Sequence, residues 1–176
     1  MNSQRKIVFN NCNEKQTLLL ASALARLLKS GDTLLLFGDI GSGKTFFSRG
    51  LIQEMMKNQS VPVEEVPSPT FSIVQPYDGL SPIVWHLDLY RLSHHDEIYE
   101  LGLEDALEKG ICLIEWPSKM GSNIPERNMS ISFDLEDFTY EKRSILIELN
   151  GIGWSHVSGS LMKGLRVLED FKTEGF

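Results

Sequence analysis

Cysteine, basic charge and long apolar runs are all scarce in this sequence of 176 residues. The 2 cysteines, Cys12 and Cys112, are too few for the disulfide framework of a small secreted protein and too scattered for a zinc site. The apolar runs, for example residues 34–37, fall far short of the roughly 18 residues that a membrane span needs. The first residues also lack the apolar stretch of a secretory leader, so we expect a cytoplasmic protein with no membrane segment.

Positive charge is in deficit, with 17 Lys and Arg residues against 24 Asp and Glu residues and a formal net charge of −7. This balance is opposite to that of proteins that bind nucleic acid on their own, because those proteins carry basic surfaces that neutralise phosphates. We therefore expect no DNA partner, and we expect a partner protein to hold any RNA.

A glycine-rich segment connects a wholly apolar run, residues 33–37, to a helical pattern that follows it. Residues 38–45 satisfy G-x-x-x-x-G-K-[ST], in which backbone N–H groups at a helix N-terminus surround phosphate oxygens. Lys44 can span the β- and γ-phosphates of a nucleoside triphosphate, and the Thr45 hydroxyl can ligate Mg²⁺. A glycine-rich turn with a surface lysine is the alternative. The predicted nucleotide-binding residues here are Gly38, Asp39, Ile40, Gly41, Ser42, Gly43, Lys44, Thr45 and Phe46, with Asp39 pointing away from the phosphates.

Two carboxylates are candidates for the metal site that accompanies such a loop. Glu115 ends the apolar run 111–114, as expected for a central strand beside the strand that precedes the loop. Residues 83–88 alternate between polar and apolar side chains, so we expect this strand nearer the edge of the sheet. We therefore assign Glu115 the metal- or water-orienting role and Asp88 a supporting role at the same site. A solvent-exposed strand end is the alternative for Asp88.

Aromatic and imidazole side chains stand close to these carboxylates in the sequence. Trp116 directly follows Glu115, at the sheet edge where open α/β sheets bind ligands, and it either lines the nucleotide site or is a buried or interface residue. His86 shares a strand face with Asp88 and either meets the site or packs in the core. His94 and His95 diverge as neighbours and are expected in solvent.

Hydrophobic periodicity around these motifs predicts the fold class. Because 41% of the residues are apolar and 23% are charged, we expect a globular protein. We predict an α/β, three-layer, P-loop NTPase-like fold with a largely parallel central sheet, antiparallel additions and helices on both faces. The predicted strands are 6–9, 33–37, 70–74, 83–88, 111–114, 129–135 and 143–149, and the predicted helices are 14–28, with a capping box of Asn13 and Gln16, 44–57 and 96–108.

The chain is predicted to divide into a single P-loop domain over residues 1–150 and a C-terminal amphipathic helical extension over residues 151–176. The extension carries an apolar stripe at helical spacing, formed by Val157, Leu161, Leu165 and Leu168. We expect this stripe to pack on the sheet.

Four motifs together resemble the TsaE (YjeE) family of small bacterial P-loop ATPases. They are residues 38–51, residues 68–71, residues 86–92 and residues 114–117, and they occur in the family order over residues 34–117. The P-loop alone is unspecific, whereas the combination is highly specific. Two positions depart from the family pattern, because Ser118 stands where an acidic residue is usual and Pro76 interrupts the strand after Phe71.

The resemblance implies a slow ATPase, with ATP and Mg²⁺ as cofactors, that is required for threonylcarbamoylation of adenosine at position 37 of tRNAs. It also implies a TsaD–TsaB heterodimer as the partner that performs the transfer, so that tRNA is contacted only through the complex. By the same resemblance the chain's functional residues are Lys44, Asp88 and Glu115 for catalysis, Thr45, Asp88 and Glu115 for the metal, Thr70 for sensing the nucleotide state and Trp116 at the border of the nucleotide.

A P-loop small-molecule kinase is the competing class, because it would use Lys44 and Thr45 in the same way. Such an enzyme normally needs arginines over the transferred phosphate and an acceptor site. The arginines after the P-loop do not cluster as a lid; they are Arg49, Arg91, Arg127, Arg143 and Arg166. A third possibility is a nucleotide-binding switch without meaningful turnover.

Overall fold

One β-sheet forms the centre of the computed structural model, which describes residues 5–94, 97–136, 141–166 and 173–174. Its strands in chain order are β1 (Arg5–Cys12), β2 (Thr33–Phe37), β3 (Val74–Tyr77), β4 (Val84–Asp88), β5 (Ile111–Glu115), β6 (Asn128–Leu135), β7 (Arg143–Asn150) and β8 (Thr173–Glu174). The helices are α1 (Glu14–Ala25), α2 (Lys44–Asn58), α3 (Glu97–Glu100), α4 (Glu104–Lys109) and α5 (Ser155–Arg166), and a 3₁₀ segment covers Pro117–Asn123.

The order of the strands across the sheet is β3-β4-β5-β2-β6-β7-β1-β8. The central strands β4, β5, β2 and β6 pair in parallel, and antiparallel strands flank them at both ends. This confirms the predicted fold class. Because β4, β5 and β2 are parallel neighbours, their last residues Asp88, Glu115 and Phe37 lie at the same edge of the sheet.

Helices cover both faces of the central strands. Leu34 and Leu36 of β2 belong to a core that also contains residues of α1, α2 and α5. Leu35 belongs to a second core on the opposite face, with residues of α3, α4 and the 3₁₀ segment. Since successive strand side chains point to opposite faces, a strand covered on both sides is apolar at each position.

The predicted capping box opens α1. The Asn13 side chain accepts a hydrogen bond from the Gln16 N–H at 3.0 Å, and the Gln16 side chain accepts one from the Asn13 N–H at 2.9 Å. The helix ends at Ala25 rather than at residue 28. The reason is that the chain turns toward the sheet, where Gly31, at φ 82°, donates its N–H to the Gly110 carbonyl at 2.7 Å.

One predicted strand is displaced along the chain relative to the observed one. The strand expected over 70–74 begins only at Val74, because Ile73 adopts a left-handed conformation at φ 66° and its N–H closes a turn onto the Pro69 carbonyl. The strand that ends at Asp88 is second from the edge of the sheet and nearer the edge than β5, as predicted, with β3 paired along its outer side. Pro76 lies on the edge strand, where a missing N–H is tolerated.

The single helix predicted over 96–108 is also wrong. The chain forms the short helices α3 and α4, separated at Gly102, which has a left-handed φ of 61°. A backbone in that conformation cannot continue an α-helix, and glycine adopts it at little cost. The predicted start at Asp96, and His95 beside it, lie outside the described residues, whereas His94 is exposed as expected.

The C-terminal segment forms α5, whose Val157 and Leu161 are buried in the first core. His156 on the same helix lies 3.0 Å from the buried carboxylate of Asp32, so α5 is attached to the body by apolar and polar contacts. The side chains of Leu165 and Leu168 lie outside the described residues, and the division at residue 150 stays a prediction. No helix within the described ranges is long and apolar enough to cross a membrane.

Candidate functional site

The glycine-rich loop turns from the end of β2 into the start of α2. Gly38, Gly41 and Gly43 have φ values of 138°, 81° and 110°, which side chains with a Cβ rarely adopt. Gly43 is the N-cap of α2 and supplies no side-chain hydrogen bond to the helix. The first N–H groups of α2 are therefore not capped by their own N-cap residue, which is the arrangement that binds anions at helix N-termini.

Two of these glycines also lie in close contact with neighbouring groups. A Cβ at Gly38 would meet the Ser42 hydroxyl and the Phe133 carbonyl. A Cβ at Gly43 would collide with the guanidinium group of Arg143, a buried side chain at the start of β7. The loop thus packs against residues of β6 and β7.

Lys44 lies within the loop and is only 5% exposed. Its Nζ donates hydrogen bonds to the carbonyls of Gly38 at 2.7 Å and Asp39 at 2.8 Å, and it stands 4.1 Å from the ring centroid of Trp116. Burial lowers the pKa of the Lys44 ammonium, and the charges of Glu115 and Asp88 oppose that shift. The Lys44 ammonium is therefore bound by neutral carbonyl oxygens of the loop, next to the N-terminus of α2.

Glu115 and Asp88 are paired in register at the ends of β5 and β4 and are 2% and 3% exposed. Oε2 of Glu115 accepts a hydrogen bond from the Thr45 hydroxyl at 2.9 Å, and Oε1 lies 2.8 Å from Nε2 of His86. The solvent-exposed alternative for Asp88 is wrong, since β3 and the loop before it cover the end of β4.

Asp88 accepts hydrogen bonds from three donors. Oδ2 accepts from the hydroxyls of Ser68 at 2.9 Å and Thr70 at 2.6 Å, and Oδ1 accepts from the Tyr90 N–H at 3.0 Å. Phe71 follows Thr70 and is 82% exposed, with the Arg91 guanidinium 4.1 Å above its ring. Asp88 thus ties a segment with an exposed aromatic side chain to the site.

A cavity of about 230 Å³ lies between the loop, the strand ends and this segment. Eight predicted site residues line it, namely Ile40, Gly41, Lys44, Thr45, Thr70, Asp88, Glu115 and Trp116, together with Ser68 and Tyr90. The other predicted residues, Gly38, Asp39, Ser42, Gly43 and Phe46, belong to the loop and the first helical turn without lining the cavity. The structure therefore brings the predicted strand ends and the loop to one place.

Trp116 has a left-handed backbone, at φ 59° and ψ 46°. Such a conformation costs on the order of 1–3 kcal/mol for a residue other than glycine and persists only where the surroundings hold it. Here the ring packs against Tyr90 at 5.0 Å between centroids and against the Lys44 ammonium. Trp116 is half-buried and forms one wall of the cavity.

Sequence reasoning missed or left open three residues around the site. The sequence leaves two interpretations of His86, site or core, although its spacing of two from Asp88 places both residues on one strand face. Ser68 belonged to a recognised motif without an assigned role. Arg143 had no signal, because its contact with Gly43 arises only from the order of strands in the sheet.

The oxygens at this site fit a magnesium ion that arrives with a nucleotide. Within the described part of the chain, no group of three or more His, Cys, Asp and Glu side chains could hold a metal by itself. Mg²⁺ commonly takes one or two protein oxygens and completes its shell with phosphate oxygens and water. The Thr45 hydroxyl beside Glu115 supplies such oxygens next to the loop.

Comparison with solved structures supports the fold. The crystal structure of Bacillus subtilis YdiB matches with a TM-score of 0.71 and 24% identity, over 97% of this chain and 100% of that chain.

Comparison with known sequences gives named relatives. The chain is 45% identical over 104 residues to the tRNA threonylcarbamoyladenosine biosynthesis protein TsaE of Rickettsia felis, a match that covers 59% of this chain and only 58% of that protein. It is 33% identical over 129 residues to the protein of the same name from Bacillus subtilis, covering 72% of this chain and 77% of that protein. The family described as "Threonylcarbamoyl adenosine biosynthesis protein TsaE" matches residues 11–145. The chain therefore belongs to the TsaE family.

Proposed function

We propose that this chain binds ATP with Mg²⁺ in the cavity and hydrolyses it slowly, and that it thereby supports threonylcarbamoylation of adenosine 37 in tRNAs through a TsaD–TsaB-like heterodimer. The observation that carries the proposal is the 2.9 Å hydrogen bond from Thr45 to Glu115 at the base of the loop. It places a hydroxyl oxygen and a carboxylate together at the mouth of an anion-binding helix N-terminus. Membership of the TsaE family supports a role in the biosynthesis of threonylcarbamoyladenosine.

Each side chain has a defined task in this proposal. Lys44 would exchange its carbonyl partners for phosphate oxygens, which are stronger acceptors for an ammonium group. Thr45 would present an oxygen lone pair to the metal while its O–H group still donates a hydrogen bond to Glu115. Bound Mg²⁺ would supply neutralisation of the phosphate charge. Glu115 would orient the water that attacks the terminal phosphate.

In this proposal, the segment 68–71 connects the nucleotide site with the partner protein. Ser68 and Thr70 share Asp88 as their acceptor, so a change in the hydrogen bonding of Asp88 alters the anchoring of Phe71 and its exposed ring. Segments of this kind adopt different surfaces when a nucleotide is bound and when it is released. We therefore expect partner binding to depend on the nucleotide state.

The charge balance fits indirect contact with tRNA. A net charge of −7 does not favour binding of a polyanion, so the partner complex would hold the tRNA.

The kinase alternative is less well supported by the geometry. Among the described residues that line the cavity there is no arginine. Arg49 donates to the Val66 carbonyl, and Arg127 pairs with Asp32 at the opposite end of β2. An arginine clamp over a transferred phosphate is thus absent from the described residues that line the cavity.

A phosphate-release assay with and without candidate acceptors separates ATPase, kinase and simple switch. We expect slow, acceptor-independent release of phosphate. Lys44→Ala should abolish ATP binding in calorimetry, whereas Lys57→Ala, an exposed lysine of the same helix, should bind normally. Stoichiometric phosphorylation of an added acceptor would contradict the proposal, as would wild-type affinity in the Lys44 variant.

A further inference from the structure

His86 is fully buried beneath the site and takes no part in the function proposed above. It lies on β4, two residues before Asp88 and on the same face of the strand. Its Nε2 is 2.8 Å from Oε1 of Glu115, which lies on the neighbouring strand β5. An imidazole thus contacts the carboxylate from the side opposite Thr45.

In the hydrogen bond between His86 and Glu115, the imidazole is the donor and the carboxylate is the acceptor. An ionised carboxylate only accepts hydrogen bonds, so the proton lies on Nε2 and His86 donates to Glu115. Nδ1 is buried and has no hydrogen-bond partner among the described residues. Buried N–H groups without an acceptor are rare in native structures, and a proton on Nε2 avoids one at Nδ1, which fits the same tautomer.

Both oxygens of Glu115 are therefore held by separate donors. Oε1 is held by His86 from the interior, and Oε2 faces the Thr45 hydroxyl and the cavity. Loss of the His86 donor would leave the carboxylate free to rotate about its terminal torsion, which has no strong preferred angle. Partners that orient a metal-binding carboxylate typically change metal affinity or activity by about 10- to 100-fold when they are removed.

We propose that His86 is a positioning residue, which orients Glu115 toward Thr45 and the magnesium site by donating from Nε2. This inference rests on the proposed function, because it assumes that Mg²⁺ binds with the nucleotide. The competing role is core packing alone, in which the shape of the side chain matters and its donor does not.

A matched pair of variants separates the two roles. His86→Gln keeps an N–H donor near the position of Nε2, whereas His86→Met has a similar length and shape without a donor. ADP affinity is measured by calorimetry for each variant with Mg²⁺ and in EDTA. The ratio of the two affinities gives the gain due to Mg²⁺, and it is insensitive to an inactive fraction of protein. Thermal unfolding reports any loss of fold.

We expect Mg²⁺ to increase the ADP affinity of the wild-type protein and of His86→Gln by a similar factor. For His86→Met we expect this factor to be lower by roughly tenfold or more, with normal affinity for metal-free ADP. Should the Met variant fail to fold, His86→Asn, whose amide is too short to reach Glu115, replaces it with the same expectation. Equal gains in all variants, or equal losses with Gln and Met, would overturn the inference. A wild-type protein without any Mg²⁺-dependent gain would instead refute the proposed function, and the inference with it.

Discussion

The hydroxyl of Thr45 lies 2.9 Å from Oε2 of Glu115, although the two residues are separated by 70 positions in the chain. The contact exists because β2, which leads into the loop, pairs in parallel with β5, which ends at Glu115. The parallel pairing of β2 and β5 thus places the Thr45 hydroxyl and the Glu115 carboxylate next to each other beside the cavity.

Thr45→Ala removes the hydroxyl from this point. We expect a loss of nucleotide affinity in the presence of Mg²⁺ and little change in EDTA, because the hydroxyl serves the metal rather than the phosphates. Thr45→Ser keeps the oxygen and should restore most of the affinity. Calorimetry with ADP gives both quantities, and an equal loss with and without Mg²⁺ would count against the metal role of Thr45.

Glu115→Gln should keep the binding of metal-free nucleotide and suppress hydrolysis, since the amide keeps the shape and removes the negative charge that serves the magnesium ion and orients water. Asp88→Asn is the matched comparison, because Asp88 occupies the adjacent register position but is engaged by Ser68 and Thr70. Phosphate release under saturating ATP measures both. If only the Asp88 change stopped turnover, the assignment of Glu115 would be wrong.

Gly43→Ala should weaken nucleotide binding by roughly tenfold or more, because the residue has a φ of 110° and its new methyl group would collide with Arg143. Gly159→Ala is the control, since a Cβ there meets nothing within 4 Å and alanine favours the helix. The control should bind nucleotide normally and unfold at the same or a higher temperature. Normal binding by Gly43→Ala would contradict the close packing behind the loop.

The two cysteines should be inert in the folded protein. Burial raises the pKa of the Cys12 thiol to about 11 and that of Cys112 to about 12, from an ordinary value of 9.0. The neutral thiol is thus favoured by folding, and its contribution to the free energy of unfolding is present below pH 9.0 and lost as the pH rises through about 11.

Thiol titration and denaturant unfolding check this expectation. A thiol reagent at pH 8 should react only after unfolding. Cys112→Val should make the loss of stability above pH 9.0 shallower, because valine has no titrating group. Reaction of the folded protein as fast as the unfolded chain would contradict the burial of both thiols.

Sequence patterns were sufficient where local chemistry decides the structure. The glycine loop, the capping box of Asn13 and Gln16, and the strand β5 with its apolar run 111–114 all follow from side-chain type and spacing. Glu115 could be predicted because it directly follows an apolar run that is typical of a buried parallel strand. These features need no knowledge of distant contacts.

Other features could not be predicted because tertiary contacts decide them. The turn at Ile73 replaces a strand because the hydroxyls of Ser68 and Thr70 donate hydrogen bonds to Asp88, which lies at the end of β4. The contacts of His86 with Glu115 and of Arg143 with Gly43 require the strand order, which no local pattern contains.

The central claim is that ATP hydrolysis by this chain permits repeated cycles of tRNA modification by a TsaD–TsaB-like pair. The most direct measurement is a multiple-turnover threonylcarbamoylation assay with that pair and excess tRNA, in which this chain is present, omitted or replaced by Lys44→Ala. We predict many modified tRNAs per partner complex with the wild-type chain, and about one or fewer without it or with the variant. Undiminished repeated turnover in the absence of the chain would contradict the claim.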